Sequence, residues 1–485
     1  MHTEVDRSRG HGDPATSPAV HFATHLNSSD TLLWNIEQDP CLRTTIIAIS
    51  LLDRSPDWQR LVQRVSDTVE RVPRLRQRVV VPPMRMGQPR WEPDDHFDIS
   101  YHLRRVVVPA PGDFRAVLDI AEPIAMAAFD KARPLWEFTL VEGMAGGRAA
   151  FIQKVHHAFT DGVGAVHMAT LLHDPKRASP RRAAVRSAEP DASPNAFVEA
   201  ANSLASDLRS AVMVPLRFGS VAPRLTMMAA TDPVGLTRST ARGLRSVGRL
   251  LAPVTAPLSP TMTGRGLSRR LDSFDVALPD LLAAGHAAGC SLNDAFLASI
   301  AGGMRMYHER HGAAVQALRV TMPINLRRDG DGLGNNRFTP VRFTLPIATL
   351  DPVDRMRELG HLARNWRKEP ALPLTDLIAG VLDRLPVVAT TTLFGSMLKG
   401  VDFVATNVPG PTTRSYLAGA EVVSEYGFAP PSGAAFSVAL FSHLDRCCIG
   451  INADAEAVPD VDVLADCLAD GFDEVLLVGK TSRRK

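Results

Sequence analysis

The sequence predicts a mixed α/β protein built from two domains. Alternating strand patterns and helical spacing recur in both halves of the chain, without the regular strand–helix repeat of a Rossmann unit. The 485 residues exceed what one ordinary hydrophobic core supports, so two cores are expected. Neither a GxGxxG segment nor a P-loop is present, so no nucleotide-binding loop of those kinds is predicted.

Composition is typical of a soluble globular protein, with 45% hydrophobic residues and a formal net charge of +2. Residues 1–26 are a polar extension that mixes both charges and lacks the apolar segment of a secretory signal. No apolar run reaches the roughly 18 residues that a membrane-spanning helix needs. A cytoplasmic protein without a spanning segment is therefore expected.

The cysteines lack the spacing of a metal site. Their odd number and the missing export signal favour reduced thiols in the cytosol. The five are Cys41, Cys290, Cys447, Cys448 and Cys467.

A first domain is predicted over residues 27–174. The β-branched run at residues 42–51 predicts a strand, and residues 58–72 have helical periodicity with interspersed charge. The basic segment at residues 72–78 is interpreted as a solvated strand edge, in preference to a nucleic-acid site.

The sequence His-His-Ala-Phe-Thr-Asp-Gly at residues 156–162 is the strongest functional signal in this domain. Alternation at Trp136, Phe138 and Leu140 predicts one strand, and residues 149–155 predict a returning strand that ends at the histidines. Residues 163–172 then have helical spacing. A turn between a strand and a helix holds reactive side chains on rigid supports.

Histidine is the side chain best suited to take and return a proton near neutral pH. Asp161 can orient an imidazole or brace the loop through a salt bridge. The alternative is a buried, hydrogen-bonded core histidine. A metal site is disfavoured because neighbouring side chains diverge and no HExxH or CxxC pair accompanies them.

Residues 175–270 form a basic linker rich in proline, arginine and alanine, with fifteen lysines and arginines against five acids. Residues 196–216 and 236–251 are predicted amphipathic helices, whereas residues 175–194 are expected to be a mobile connection. The second helix carries four arginines on one face, which is either solvated or suited to an anionic membrane surface. They are Arg238, Arg242, Arg245 and Arg249.

A second domain is predicted over residues 271–485. Ser291 and Asp294 form the pattern of a capping box, which puts Asn293 in the first turn of a helix. An amide there can stabilise negative charge developing on oxygen, or it can simply help to cap the helix.

The rest of this domain alternates between strand and helix patterns. Strands are predicted at residues 318–322, 341–345, 401–405, 436–441 and 448–453, and helices at residues 354–366 and 461–477. The loop at residues 328–336 is rich in glycine and aspartate but lacks the closing glutamate of a calcium-binding EF-hand.

The HHxxxDG motif resembles the signature of the coenzyme A-dependent acyltransferase superfamily, which includes chloramphenicol acetyltransferase and peptide-synthetase condensation domains. Further segments are similar to the bacterial wax ester synthase/diacylglycerol acyltransferase family, in the same order. Pro134-Leu135-Trp136 matches its PLW element, Asn293-Asp294 its ND helix start, and residues 407–411 its NVPGP segment.

This resemblance implies two chloramphenicol-acetyltransferase-like domains with an active-site tunnel between them. It implies transfer of a long-chain acyl group from acyl-CoA to diacylglycerol, giving triacylglycerol, or to a long-chain alcohol, giving a wax ester. Acyl-CoA would be a substrate, and no cofactor, metal or nucleic acid is expected. Peripheral contact with the inner face of the membrane or with lipid droplets is also expected.

The resemblance, together with the acid–base chemistry above, assigns roles to individual residues. His157 is expected to be the general base and Asn293 an oxyanion donor, while His156 and Asp161 orient the loop. Asp161 is hypothesised to pair with Arg327. The other structural residues are Gly162, Asp294, Asn407, Pro409 and Gly410, and Pro134, Leu135 and Trp136 are expected to contact substrate.

Two departures from the family pattern bear on the choice of acceptor. Residues 412–416 are more polar than expected, and residues 441–444 replace an SYxG-like stretch. Two alternatives therefore stay open. One is a related transferase that acts on a polyketide-type diol, a sugar or an amine, and the other is a non-catalytic member that binds membranes or lipid droplets.

Overall fold

The computed structural model describes residues 23–82, 88–159, 169–178, 254, 256–325, 338–367 and 386–482. The strands in these residues form two six-stranded sheets and a separate two-stranded ribbon. They are β1 (Thr45–Leu52), β2 (Gln77–Val80), β3 (Arg90–Pro93), β4 (Leu103–Val107), β5 (Trp136–Glu142), β6 (Ala149–His156), β7 (Arg269–Ala277), β8 (Ala317–Asn325), β9 (Phe338–Pro346), β10 (Phe403–Val408), β11 (Tyr416–Leu417), β12 (Ala420–Phe428), β13 (Phe436–His443) and β14 (Arg446–Asp454).

The α-helices cover the two large sheets and connect their strands. They are α1 (Ser28–Ile36), α2 (Trp58–Arg71), α3 (Ile99–His102), α4 (Phe114–Met126), α5 (Leu278–Ala287), α6 (Leu292–Arg310), α7 (Pro352–Arg367), α8 (Val387–Leu398) and α9 (Val461–Ser482). Short 3₁₀ turns lie at Pro40–Leu42, Pro73–Arg76 and Ala145–Gly147, and residues 169–172 are also helical.

The first sheet has the order β11-β12-β1-β6-β5-β4. Strand β6 is buried along its whole length because it pairs antiparallel with β1 on one side and β5 on the other. Its last residue, His156, faces Thr45 across the ladder. Such a central strand holds its end rigidly, so the turn that follows begins from a fixed position.

The second sheet has the order β7-β14-β13-β10-β8-β9. Its apolar face packs against α5, α6, α7 and α9 in one continuous core. Helices α6 and α9 approach closely because Gly303 has no side chain, and a Cβ there would press into the backbone of Cys467 and Leu468. The prediction of a mixed α/β fold with two units is confirmed.

The first sheet contains strands from both the N-terminal and the C-terminal part of the chain. Strand β12 pairs with β1 of the first sheet and then leads directly into β13 of the second. The ring of His443 at the end of β13 contacts the carbonyl of Val422 at 3.1 Å, and Ser437 donates to the carbonyl of Ala429. Strand β12 therefore joins the two units, because it pairs within the first sheet and packs against β13 of the second. The predicted boundaries at residues 27–174, 175–270 and 271–485 stay predictions.

Most predicted elements appear at the predicted positions. The strand and helix after residue 42 are β1 and α2, the returning strand is β6, the hairpin is β13–β14, and the closing helix is α9. The predicted helices at residues 196–216 and 236–251, with their arginine stripe, lie outside the described residues. Membrane docking by that stripe therefore stays a prediction.

The interpretation of residues 72–78 as a solvated edge is wrong for Arg74. Its side chain is buried, its guanidinium lies 4.1 Å from the ring centroid of Trp91, and it donates to the carbonyl of Ala23 at 2.7 Å. Burial lowers the pKa of Arg74 to about 9, against the opposing charge of Asp30. Stacking on an aromatic ring explains why a guanidinium is accepted in this interior.

Among the described ranges, none of the helices combines the length and the apolar character needed to cross a bilayer. The same ranges contain no group of three or more histidine, cysteine, aspartate or glutamate side chains arranged to hold a metal ion. All five cysteines are free thiols.

Candidate active site

The two histidines of the HHxxxDG motif lie where β6 ends and a turn begins. His156 is the last residue of the strand and is buried, whereas His157 is half-buried in the turn. The backbone N–H of His156 donates to the carbonyl of Leu135 at 3.1 Å, and that of His157 donates to Thr44 at 3.0 Å. The strands on both sides of β6 therefore fix the backbone of this turn.

The imidazole of His156 is engaged by the protein itself. Its Nδ1 accepts a hydrogen bond from the backbone N–H of Ala158 at 2.9 Å, so the proton of the neutral ring belongs on Nε2. Nε2 lies 3.0 Å from Oε1 of Glu37, although the ring is not aligned for a straight bond. The rings of Trp34 and Phe129 enclose the imidazole, with centroids 5.8 and 5.9 Å away.

Glu37 is the polar partner that links the two histidines. Its Oε1 accepts hydrogen bonds from the backbone N–H of Thr44 at 2.8 Å and from the Thr44 hydroxyl at 2.9 Å. Burial would raise the pKa of Glu37, but the His156 ring and the donors of Thr44 outweigh it and lower the pKa to about 2. Glu37 is therefore a carboxylate throughout the physiological range.

The PLW element contacts the start of this turn. Leu135 supplies the carbonyl that binds His156, and the indole Nε1 of Trp136 donates to the carbonyl of Leu75 at 2.8 Å. Leu135 and Trp136 are fully buried, and Trp136 stacks on His102 with centroids 4.5 Å apart. The contacts seen here are all with the protein interior. Substrate contact by Pro134, Leu135 and Trp136 stays a prediction.

The ND element begins α6, and the predicted capping box is present. The hydroxyl of Ser291 accepts from the N–H of Asp294, and the Asp294 carboxylate accepts from the N–H of Ser291 at 2.9 Å. Asn293 lies half-buried in the first turn. Asp294 also faces Arg364 of α7 at 3.9 Å. Asp294 therefore ties the start of α6 to a neighbouring helix.

The C-terminal part of α6 contacts the segment before β10. Nε2 of His308 lies 2.8 Å from the hydroxyl of Ser259. The N–H of Ser259 donates at 2.9 Å to Asp402, which immediately precedes β10. The helix rises about 1.5 Å per residue, so Asn293 lies roughly 22 Å from His308 along the helix axis.

The segment that leads into β1 also contacts the chain just before β10. Asp39, close in sequence to Thr44, forms a 2.6 Å ion pair with Lys399 just before β10. Asp402 accepts the backbone N–H of Ala435 in the same region at 3.1 Å. We call the group of Glu37, Thr44, His156 and His157 the histidine end. We call the group of Asn293, Asp294, Asn407, Gly410 and Ser442 the asparagine end.

The NVPGP segment contributes the second part of the asparagine end, at the end of β10. Asn407 is in β10 opposite Leu440, and Pro409 follows the strand. The N–H of Gly410 donates to the Ser442 hydroxyl at 3.0 Å. A Cβ at Gly410 would overlap the carbonyl of Ser442 and the ring of Phe441. The NVPGP segment and the unusual residues 441–444 therefore pack directly against each other.

Asp161, Gly162 and Arg327 lie outside the described residues, so the hypothesised pairing of Asp161 with Arg327 stays a hypothesis. The sequence reasoning missed Glu37 and Thr44. Their local signal is weak, because an acidic residue after a short helix is common on surfaces. Their importance depends on His156, a partner far away in the chain.

Most of the chain is similar to the models and relatives of one acyltransferase family. The wax ester synthase/diacylglycerol acyltransferase catalytic domain matches residues 26–296, and the WS/DGAT C-terminal domain matches residues 334–475. A Mycobacterium tuberculosis (strain ATCC 25618 / H37Rv) protein, named as a candidate diacylglycerol O-acyltransferase, is 39% identical over 458 residues. That alignment covers 94% of this chain and 92% of the relative.

Solved structures support the same fold. The wax ester synthase/diacylglycerol acyltransferase from Marinobacter aquaeolei VT8 matches with a TM-score of 0.62 at 21% identity, covering 94% of this chain and 100% of that one. The first condensation domain of the calcium-dependent antibiotic synthetase matches with a TM-score of 0.56 at 14% identity, covering 94% and 96%. These likenesses show that the chain has the fold shared by wax ester synthase/diacylglycerol acyltransferase and condensation domains.

The chain belongs to the wax ester synthase/diacylglycerol acyltransferase family.

Proposed function

We propose that the protein transfers a long-chain acyl group from acyl-CoA to diacylglycerol or to a long-chain alcohol, with His157 as the general base. The observation that carries this proposal is the difference between the two histidines. His156 is buried and its ring contacts Ala158 and Glu37, whereas His157 is half-buried in the turn that β6 positions. An imidazole that reaches an accessible space can exchange protons with a substrate.

The reaction needs no covalent enzyme intermediate. His157 takes the proton of the acceptor hydroxyl as its oxygen attacks the thioester carbonyl carbon. The new C–O bond gives a tetrahedral oxyanion, whose collapse breaks the C–S bond. The imidazolium returns its proton to the departing CoA thiolate, so an ester and free CoA are the products.

Asn293 is the oxyanion donor of the proposed mechanism, in which its side-chain amide donates a hydrogen bond to the tetrahedral intermediate. It is half-buried in the first turn of α6, where the free backbone N–H groups of the helix start also favour negative charge. The resemblance assigns Asn293 this role, and Asn293→Ala tests it.

The acceptor can be identified by direct assay. Purified protein is incubated with radiolabelled palmitoyl-CoA and diacylglycerol, a long-chain alcohol or buffer, and the lipid products are separated. We expect triacylglycerol or wax ester from the wild type, and a loss of about 10²–10⁴-fold in His157→Ala. His361→Ala is the matched control, because His361 is exposed on α7.

Product formation that is equal in wild type and His157→Ala would refute the role of His157. Failure of both acceptors with the wild type would refute the proposed substrates. Repeating the assay with a diol, a sugar and an amine would then separate another acceptor from a non-catalytic protein.

A further inference from the structure

We infer that Glu37 is a positioning residue for His157, a role that rests on the proposed function. Glu37 does not belong to the HHxxxDG motif and lies far from it in sequence. Its carboxylate nevertheless contacts both structures that hold the His157 turn, namely the ring of His156 and the backbone of Thr44.

The first contact acts through the imidazole of His156. A carboxylate 3.0 Å from Nε2 favours the tautomer that carries its proton on Nε2. Nδ1 is then free of a proton and accepts the N–H of Ala158, the residue directly after His157. Loss of the carboxylate would allow the other tautomer, whose Nδ1–H cannot accept that hydrogen bond. The turn would then lose its anchor after His157.

The second contact acts through Thr44. Glu37 binds both the N–H and the hydroxyl of Thr44, and the Thr44 carbonyl accepts the N–H of His157. The backbone of Thr44 is therefore held between Glu37 and His157. Displacement of Thr44 would move the N–H partner of His157, so the turn is anchored before and after the proposed base by one carboxylate.

The buried surroundings of Glu37 explain why its loss would have a large effect on the position of His157. The side chain of Glu37 is 9% exposed and that of His156 is 1% exposed, so water cannot replace a lost partner easily. A charge-assisted hydrogen bond in such a site is also stronger than a neutral one. Displacements of about 1 Å in a catalytic group cost on the order of 100-fold in rate.

Glu122 provides a matched control within the same chain. It is also a buried glutamate that accepts several hydrogen bonds, including those from the N–H of Leu271 at 3.0 Å and from Arg270 at 3.1 Å. These contacts join α4 to β7 and involve neither histidine. Loss of Glu122 therefore tests the cost of removing a buried carboxylate without disturbing the His157 turn.

The experiment compares Glu37→Ala, Glu37→Gln and Glu122→Gln with the wild type in the palmitoyl-CoA assay. We expect Glu37→Ala to lower kcat about 10- to 100-fold while KM for palmitoyl-CoA changes less than about threefold. Glu37→Gln keeps an oxygen acceptor for Thr44 and should recover part of kcat. Glu122→Gln should lower Tm and leave kcat unchanged.

A second readout does not depend on turnover. Diethyl pyrocarbonate modifies accessible, unprotonated imidazoles, and peptide mass spectrometry reports each histidine separately. His156 should be protected in the wild type and become reactive in both Glu37 variants. The exposed His96 and His361 should react equally in all proteins. If Glu37→Ala does not fold, Glu37→Gln carries both measurements.

Wild-type kcat together with continued protection of His156 in a folded Glu37 variant would overturn the inference. A loss of kcat in Glu122→Gln equal to that in Glu37→Ala would also overturn it, because general destabilisation would then explain both. If the wild type transfers no acyl group, the proposed function fails, but the reactivity of His156 still tests whether Glu37 holds the turn.

Discussion

The histidine end and the asparagine end both carry sequence motifs of the family, but their polar groups are used differently. At the histidine end, Glu37, Thr44 and His156 bind one another around a turn that presents His157. At the asparagine end, Asp294 caps its own helix and the N–H of Gly410 binds the hydroxyl of Ser442. A family motif can therefore mark a reactive group or a packing requirement.

The difference shows what each end needs from its neighbours. A general base needs an accessible imidazole whose support is rigid, and the histidine end supplies that support from three separate chain segments. A helix start or a tight strand end needs capped backbone groups and close packing. Disturbing the turn at the histidine end should therefore lower the catalytic rate. Disturbing the backbone packing at the asparagine end should lower the stability of the fold.

The largest expected effects are those of His157→Ala and Asn293→Ala. We expect kcat to fall about 10²–10⁴-fold in the first variant. In the second we expect a fall of about 10²–10³-fold, because an oxyanion donor is lost. Both variants should keep a Tm close to that of the wild type. Steady-state kinetics and thermal unfolding check these values.

A kcat of Asn293→Ala within about threefold of the wild-type value, with an unchanged Tm, would remove Asn293 from the mechanism. The ND element would then be explained by the capping contacts of Ser291 and Asp294 alone.

The elements of the fold were largely predictable because their signals are local. The capping box at Ser291 depends on four consecutive residues, and β6 and the hairpin β13–β14 follow from alternation within each strand. Strand β12 was missed as a member of the first sheet. Its pairing with β1 joins residues from opposite ends of the chain, and no local pattern encodes such a partner.

The candidate site was predictable only in part, for the same reason. The histidines were found because the motif is contiguous. Glu37 was missed because its partner, His156, is distant in sequence. The resemblance alone grouped Asn293 with His157, because no local pattern shows which residues of distant segments act together. Chemistry that arises from a single turn can be read from sequence, but the support of that turn requires the tertiary structure.

The asparagine end should lose stability when its close packing is disturbed. In Gly410→Ala, the added methyl would overlap the backbone carbonyl of Ser442 and the ring of Phe441, at an expected cost of about 1–3 kcal/mol. Gly395→Ala is the matched control near the histidine end. Its Cβ would meet Asp39 and Leu42 at ordinary distances of 3.8 and 3.9 Å. Tm should fall in the first variant and hold or rise in the second.

Equal Tm values for the two glycine variants would show that residues 409–411 relax freely. The NVPGP segment would then lose its interpretation as a packing element. A fall in kcat for Gly410→Ala at temperatures well below its Tm would instead connect the asparagine end to the chemistry.

The smallest expected effect is a pH dependence that contrasts two buried glutamates. The folded-state pKa of Glu37 is about 2, below the ordinary value of 4.5. Its stabilising contribution is therefore complete above about pH 5 and is lost as the pH falls towards 2. Relative to Glu37→Gln, the free energy of unfolding of the wild type should fall by about 1 kcal/mol between pH 5 and pH 3.5.

The contribution of Glu425 in β12 to stability should change with pH in the opposite direction. Burial raises the pKa of Glu425 to about 7, so the folded protein binds this proton more tightly than the unfolded chain does. The wild type therefore loses stability as the pH rises from about 4.5 to 7, and Glu425→Gln should gain relative to it over that interval. Thermal unfolding of the three proteins between pH 3.5 and pH 8 measures both trends. If stability changed with pH equally in all three proteins, the pKa of neither carboxyl group would be shifted by folding. The electrostatic argument for Glu37 would then fail.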